Sequence, residues 1–306
     1  MNKTGEKYAR MAAFIALGGN AALAALKLAF GAMAGSAALV GDGIDSSADV
    51  LISIVALAVV KIIAKPADRE HPWGHGRAET VAVAVLSFIL FFAGAQLIVS
   101  SASNLLSGVV LEAPSLSALV VTLVSIAGKM LLAYSQHVLG RRSGSAMIQA
   151  NAKNMLGDVA ISGGVLVGLG ISVLTGSGLA DTIIACLVGA WVIKTAVGIF
   201  RGANLELMDG SADTAQYRAI FEAVHAVEGA SNPHRARIRR IGGFWDIDMD
   251  IEVNPAITVE QAHRIATQVE AAIKDRLDRV YDVMIHVEPK GATGPEEGFG
   301  LSSQEF

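Results

Sequence analysis

Six apolar runs long enough to cross a bilayer occupy the chain as far as about Ala203: Met11 to Met33, Ala37 to Ile63, Thr80 to Leu106, Leu116 to Leu139, Asn154 to Leu174 and Leu179 to Phe200. In lipid the backbone finds no water, so such a run has to satisfy its own N–H and C=O groups, as a helix does. The fold expected is an α-helical membrane protein whose six-transmembrane-helix bundle fills residues 11–208. Composition agrees: 53% of the residues are hydrophobic and 17% are charged, too apolar a balance for an ordinary soluble chain. From Asp209 onward charge and alternation return, which predicts a second domain at 209–289. Residues 1–10 read as a polar segment, and the glycine-rich, polar 290–306 as a disordered tail.

Basic residues orient the spans. Lys3, Lys7 and Arg10 precede span one, Lys61, Lys65, Arg69 and Arg77 follow span two, and Arg141 and Arg142 follow span four. The opposite connections hold no Lys or Arg, so both termini and the second domain are expected in the cytoplasm of a multi-pass protein of the cytoplasmic (inner) membrane. No cleavable leader is expected, because the first apolar run continues to spanning length without a small-residue cleavage pattern. Cys186, the one cysteine, excludes an intramolecular disulfide and reads as a packing residue. A net charge of -4 gives no reason to expect a nucleic-acid partner.

Span two breaks its own apolar pattern with Asp42, Asp45 and Asp49. A charge at mid-bilayer costs ~3 kcal/mol or more, and such groups face a bundle interior or a wet cavity. Asp45 and Asp49 stand at i and i+4, on one helix face, with Asp42 near that face one turn earlier. Span five repeats the spacing with Asn154 and Asp158, running the other way, so the four side chains are expected at comparable depth. Carboxylate and amide oxygens are hard ligands, suited to manganese, magnesium or ferrous iron. The plainer alternative is a buried hydrogen-bonded pair that holds helices together. Lys27, near the far end of span one, is expected to snorkel to the interface. Gly163, Gly164, Gly168 and Gly170 in span five are expected to let helices approach closely.

The connection after span two carries Asp68, His71 and His75, with the spacing and chemistry of transition-metal ligands on a short loop. Pro72 stands where a metalloprotease HExxH helix needs Glu, which removes the most obvious enzyme reading. In the second domain, Ala212 to Val227 reads as a helix, Arg235 to Ile241 and Phe244 to Val253 as strands, Val259 to Leu277 as a helix and Val280 to Glu288 as a strand. This is a small αββαβ, ferredoxin or metallochaperone-like domain, with Gly242 and Gly243 turning the hairpin. Asp246, Asp248 and Asp250 alternate onto one strand face, and His286 and Glu288 share another. With His234 and His263 they make a candidate metal cluster, or else an ordinary solvated face.

With these residues in place the chain resembles the cation diffusion facilitators, dimeric metal/proton antiporters, over nearly its whole length. The resemblance rests on the DxxxD of span two, the His71-Pro72-Trp73-Gly74-His75-Gly76-Arg77-Ala78-Glu79 loop, the polar pair in span five and Thr258 to His263. It implies a transporter and not an enzyme, a homodimer in the lipid bilayer, and protons as counter-substrate. It further implies a transport site of Asp45, Asp49, Asn154 and Asp158, a loop site of Asp68, His71 and His75, and cytoplasmic sites at His234, Asp250, His263 and His286, to which the strand pattern adds Asp248 and Glu288. Arg77 and Asp209 match a charge pair that locks the dimer in such proteins. Asn154 stands where zinc-transporting members usually have histidine, and Asp250 where some of them do. Nitrogen thus gives way to oxygen, which favours manganese as the exported ion, with iron and zinc next. A membrane-anchored metal sensor and an uncoupled channel are the rival readings.

Overall fold

The computed structural model describes residues 3–63, 65–107, 111–143, 146–210, 215–241, 244–291 and 299–303. Six long helices come first: α1 (Lys3–Ala34), α2 (Ala37–Ile63), α3 (Ala78–Leu106), α4 (Leu116–Ser143), α5 (Ala146–Thr175) and α6 (Leu179–Leu207). Then follow α7 (Ala215–His225), β1 (Ser231–Ile241), β2 (Phe244–Val253), α8 (Val259–Arg276) and β3 (Val280–Pro289). By length and composition, five of the described helices can cross a membrane, those of α1, α3, α4, α5 and α6. The sixth long helix, α2, has 27 residues but carries three carboxylates in its first half. The chain divides into two compact units, one of Met1–Ala58 with Ala82–Phe200 and the other of Val59–Val81 with Arg201–Phe306.

In the helical unit, buried Leu39, Leu97, Val165, Leu169, Val188 and Val192 form one apolar cluster, while Phe14, Val85, Phe92, Leu131 and Leu187 lie on the outside. That distribution suits helices whose outer faces meet lipid. Of the glycine row of α5, Gly168 alone lies against another helix. A Cβ at Gly168 would stand 2.5 Å from Ile184 Cγ1, but Gly163, Gly164 and Gly170 have nothing within 4 Å. Backbones approach closely at glycines elsewhere: between α3 and α6, where a Cβ at Gly94 or Gly189 would stand 3.0 Å from the other's carbonyl oxygen, and between α1 and α2, where a Cβ at Gly31 would stand 2.9 Å from the Val40 nitrogen. Small residues mark a permissive face, and only tertiary packing decides which such face is used.

A carboxylate from α6 starts α2. Asp181 accepts the N–H groups of Ala37 (2.8 Å) and Ala38 (3.4 Å) and the Ser36 hydroxyl (2.6 Å), while Ser36 Oγ accepts the N–H of Leu39 (3.0 Å). Three orphan donors of the first turn are satisfied, and a negative charge meets the positive end of the helix. Asp181 is buried, so Asp181→Ala should cost about 2–3 kcal/mol, and Asp181→Asn, which keeps an acceptor oxygen, clearly less. Thermal denaturation in detergent checks this. Equal melting of the alanine variant and the wild type would show that the cap contributes nothing.

The second unit has the expected αββαβ order. Its sheet runs β1-β2-β3, antiparallel between the first pair and parallel between the second. Ile220, Phe221 and Val224 of α7 and Val269 and Ile273 of α8 pack with Ile247, Met249 and Ile251 of β2. A capping box between Thr258 and Gln261 opens α8. Three local details differ from expectation or extend it. First, β1 begins at Ser231, four residues before the alternation does, because its register shifts twice between Ser231 and Arg237, with Asn232 and Arg235 at φ 44° and 48°. Second, the acidic face of β2 is not a solvated one. Asp246 and Asp250 are buried, and arginines of β1 meet the row: Arg239 with Asp246 at 2.7 Å, Arg237 with Asp248 at 3.8 Å and Arg235 with Asp250 at 2.8 Å. Third, part of the expected disordered tail is ordered: Leu301 and Ala236 exchange both backbone hydrogen bonds (2.9 and 3.0 Å), covering the edge of β1. The Gly242-Gly243 turn and residues 292–298 and 304–306 lie outside the described residues.

Candidate metal site

A cavity of about 130 Å³ opens between α2, α5 and α6, and Asp45, Asp49, Asn154 and Asp158 all line it. The i, i+4 spacing on α2 and on α5 turns each pair to one side, and antiparallel packing sets the two pairs across from one another. Trp191 and Thr195 of α6 complete the polar part of the wall, and sequence reading gave no sign of either. Asn154 is the most exposed of the four, while Asp45, Asp49 and Asp158 are partly buried.

Two lysines change the electrostatics of this region. Lys129 of α4 sits 2.7 Å from Asp158 and 3.3 Å from Asp49, and donates to Asn20 Oδ1 at 2.8 Å. It is 2% exposed. Lys27 does not snorkel. Its ammonium lies 2.9 Å from Asp42 and donates to Ser46 and Ser162 at 3.0 Å each, and Ser162 in turn donates to Asp42. A carboxylate one turn from the cavity on α2 gives the lysine a closer partner than any interface. Asp42 is thereby occupied and does not line the cavity. Lys129 also stands in an apolar run, but a lysine there can run its stem to an interface, so the penalty that marks Asp45 does not by itself mark Lys129.

The loop residues Asp68, His71 and His75 also come together. Asp68 Oδ1 accepts the N–H groups of His71 (2.7 Å) and Glu70 (3.0 Å), and the two imidazoles lie 3.3 and 3.5 Å from the carboxylate. Gly74, at φ 75°, lets the chain turn back so that the two rings lie together, centroids 4.4 Å apart and planes tilted by 40°. The His71 N–H, with smaller help from that of Glu70 and from the imidazoles, holds the Asp68 carboxyl below the usual carboxylate range. It therefore keeps its negative charge to lower pH than an ordinary aspartate.

In the sheet, ligand atoms of His234, Asp250 and Glu288 all lie within 4.8 Å of one another. Ligands around one ion at ~2.1 Å stand about 3–4 Å apart, so this donor set fits a metal after a small adjustment. The bulged β1 aims His234 across β2 toward β3, and its Nδ1 lies 2.8 Å from the Asn232 carbonyl, leaving Nε2 directed at Glu288 (3.4 Å). His286 is exposed, 3.7 Å from Glu288. His263 and Asp248 are not brought into this group. His263 is exposed on α8, off the side that buries Val269 and Ile273, and Asp248 stands opposite Arg237 in the strand register. Arg77 pairs with Asp209 within one chain, and Arg239 approaches the same carboxylate at 3.7 Å.

Known proteins resemble the chain along its length. Residues 13–208 match the family described as the cation efflux transmembrane domain, and residues 212–290 the cation efflux protein cytoplasmic domain. The manganese efflux system protein MneP of Bacillus subtilis is 30% identical over 93% of this chain and 97% of its own length. A cation-efflux pump, FieF of Pectobacterium carotovorum, is 31% identical over 87% of each. The metal-bound C-terminal domain of the CzcD transporter from Thermotoga maritima is 39% identical over 26% of this chain and 93% of that one, at a TM-score of 0.26. The matched region exceeds half of the chain, and the relatives are covered almost end to end. This chain belongs to the cation efflux, or cation diffusion facilitator, family of multi-pass membrane transporters of divalent cations.

Proposed function

We propose that the protein exports Mn²⁺ from the cytoplasm across the inner membrane in exchange for protons, with Fe²⁺ and Zn²⁺ as the next candidates. The observation that carries this reading is the cavity wall: Asp45, Asp49, Asn154 and Asp158 offer it oxygen and no imidazole or thiolate. In this reading α2 is the sixth span, both termini and the αββαβ domain are cytoplasmic, and the protein works as a homodimer locked through Arg77 and Asp209. The loop and sheet clusters would hold further ions that regulate or steady the cytoplasmic part. Resemblance to a manganese efflux protein supports the choice of ion. Moving two positive charges outward against an inside-negative potential costs ~4.6 kcal/mol per 100 mV, and one inward proton offsets about half. An exchange of metal for protons at shared carboxylates is therefore the economical coupling.

The test is metal flux in proteoliposomes of the purified protein under an imposed pH gradient. An exchanger follows the gradient, a channel ignores it and a sensor moves no metal. In the same assay, Asn154→His should raise zinc flux relative to manganese about tenfold, because an imidazole strengthens a tetrahedral zinc site more than a manganese one. Wild-type protein that already moves zinc in strong preference to manganese would end the manganese reading. An unchanged ratio in the histidine variant would remove Asn154 as the position that selects the ion.

A further inference from the structure

The cavity holds more negative charge than one ammonium can balance, and as much as an ammonium and a divalent ion together would balance. Asp45, Asp49 and Asp158 face it, and Lys129 reaches two of them while Asn20 takes its remaining donor. Three carboxylates, one lysine and one divalent ion sum to zero. An uncharged acceptor beside the lysine is informative, because an ammonium has three donors and the buried Asn20 side chain supplies an acceptor that adds no charge. Lysine also suits the position chemically, as a compact charge on a flexible four-carbon stem.

We infer that Lys129 is the resident counter-cation of the transport site: its ammonium holds Asp49 and Asp158 until a divalent ion displaces it from both, and Asn20 then retains it beside the site. This rests on the reading of the cavity as the transport site. A tethered ammonium acts at a high effective concentration, so free monovalent ions such as Na⁺ and K⁺ compete poorly with it. A divalent ion brings twice the charge and succeeds. Lys129 thus lowers metal affinity, discriminates against monovalent ions and lets the ion leave, since its own return to the carboxylates assists release.

The experiment uses full-length protein in detergent with His71, His75, His234 and His286 replaced by alanine, so that the cavity dominates binding of Mn²⁺, followed by the loss of its free-ion paramagnetic signal. Lys129→Met and Lys129→Gln should each bind Mn²⁺ about 10- to 100-fold more tightly than the lysine parent. Their flux at saturating Mn²⁺ should fall several-fold. Metal-free Lys129→Met should also melt earlier than the parent, with Mn²⁺ restoring most of the loss. Unchanged or weaker Mn²⁺ affinity in the glutamine variant, which keeps hydrogen-bonding capacity without the charge, overturns the proposal. So does failure of Mn²⁺ to stabilise the methionine variant, which would mark Lys129 as a structural strut. If Asp158→Asn leaves Mn²⁺ binding of the parent intact, the transport-site reading itself fails, independently of Lys129.

Discussion

Asp158→Ala should bring metal flux in proteoliposomes at least ~100-fold below wild type, to the level of empty vesicles. Mutation of groups that merely orient a metal ligand costs 10- to 100-fold, and loss of a charged ligand costs no less. Two effects add here. The cavity loses one of its three carboxylates, and Lys129, deprived of its 2.7 Å partner, is left to the Asp49 carboxylate, which the proposed site also uses. Folding should survive, because the Asp158 side chain is 16% exposed and Lys129 keeps Asp49 and Asn20. Asp158→Asn should be nearly as inactive while melting closer to wild type, since it keeps shape and an oxygen. Gradient-driven flux near the wild-type rate in either folded variant would remove Asp158 from the site.

The parts of this molecule that could be read in advance are those where one periodicity and one energetic penalty coincide. Carboxylates at i and i+4 inside an apolar run can only be on one face, and lipid can only reject them, so Asp45, Asp49, Asn154 and Asp158 declared themselves before any fold was known. Lys129 and Lys27 were subject to the same penalty but not legible in the same way, because a long lysine stem has an alternative in snorkelling. Which lysine takes that route depends on whether another helix supplies a carboxylate, and that is tertiary information. Asp181 shows the same division. As an acid in the first turn of α6 it would be taken to serve its own helix, yet it caps α2. In the second domain the strand alternation of β2 was legible, while its partners were not. Arg239 and Arg237 meet Asp246 and Asp248 in the register that runs back from Ile241 opposite Phe244, while the bulges beyond Arg237, at residues that are not glycine, bring His234 opposite Asp250, and nothing in the strand alternation announces them.

Asp42→Ala should be the most damaging single change to stability in the helical unit. The Lys27 and Asp42 side chains are 1% and 2% exposed and 2.9 Å apart. Removing the carboxylate leaves an ammonium in a buried site with, among the described residues, the hydroxyls of Ser46 and Ser162 as its remaining acceptors. Breaking a buried pair from one side costs about 3–5 kcal/mol, which for a unit of this size lowers the melting temperature by about 6–20 °C. The pair itself is a different matter from its halves. Attraction between the charges is largely offset by the cost of taking both out of water, so replacing the two together by apolar residues of similar bulk is close to neutral. Lys27→Met combined with Asp42→Leu should therefore melt nearer to wild type than either Asp42→Leu or Lys27→Met alone. Ser46 and Ser162 can turn their hydroxyls back to helix carbonyls in the double variant, as Ser47 already does toward Gly43 at 2.7 Å. The check is a double-mutant cycle by thermal melting in detergent. Single and double variants that lose stability additively would mean the two charges are not coupled, and that α1 and α2 are held by apolar packing alone.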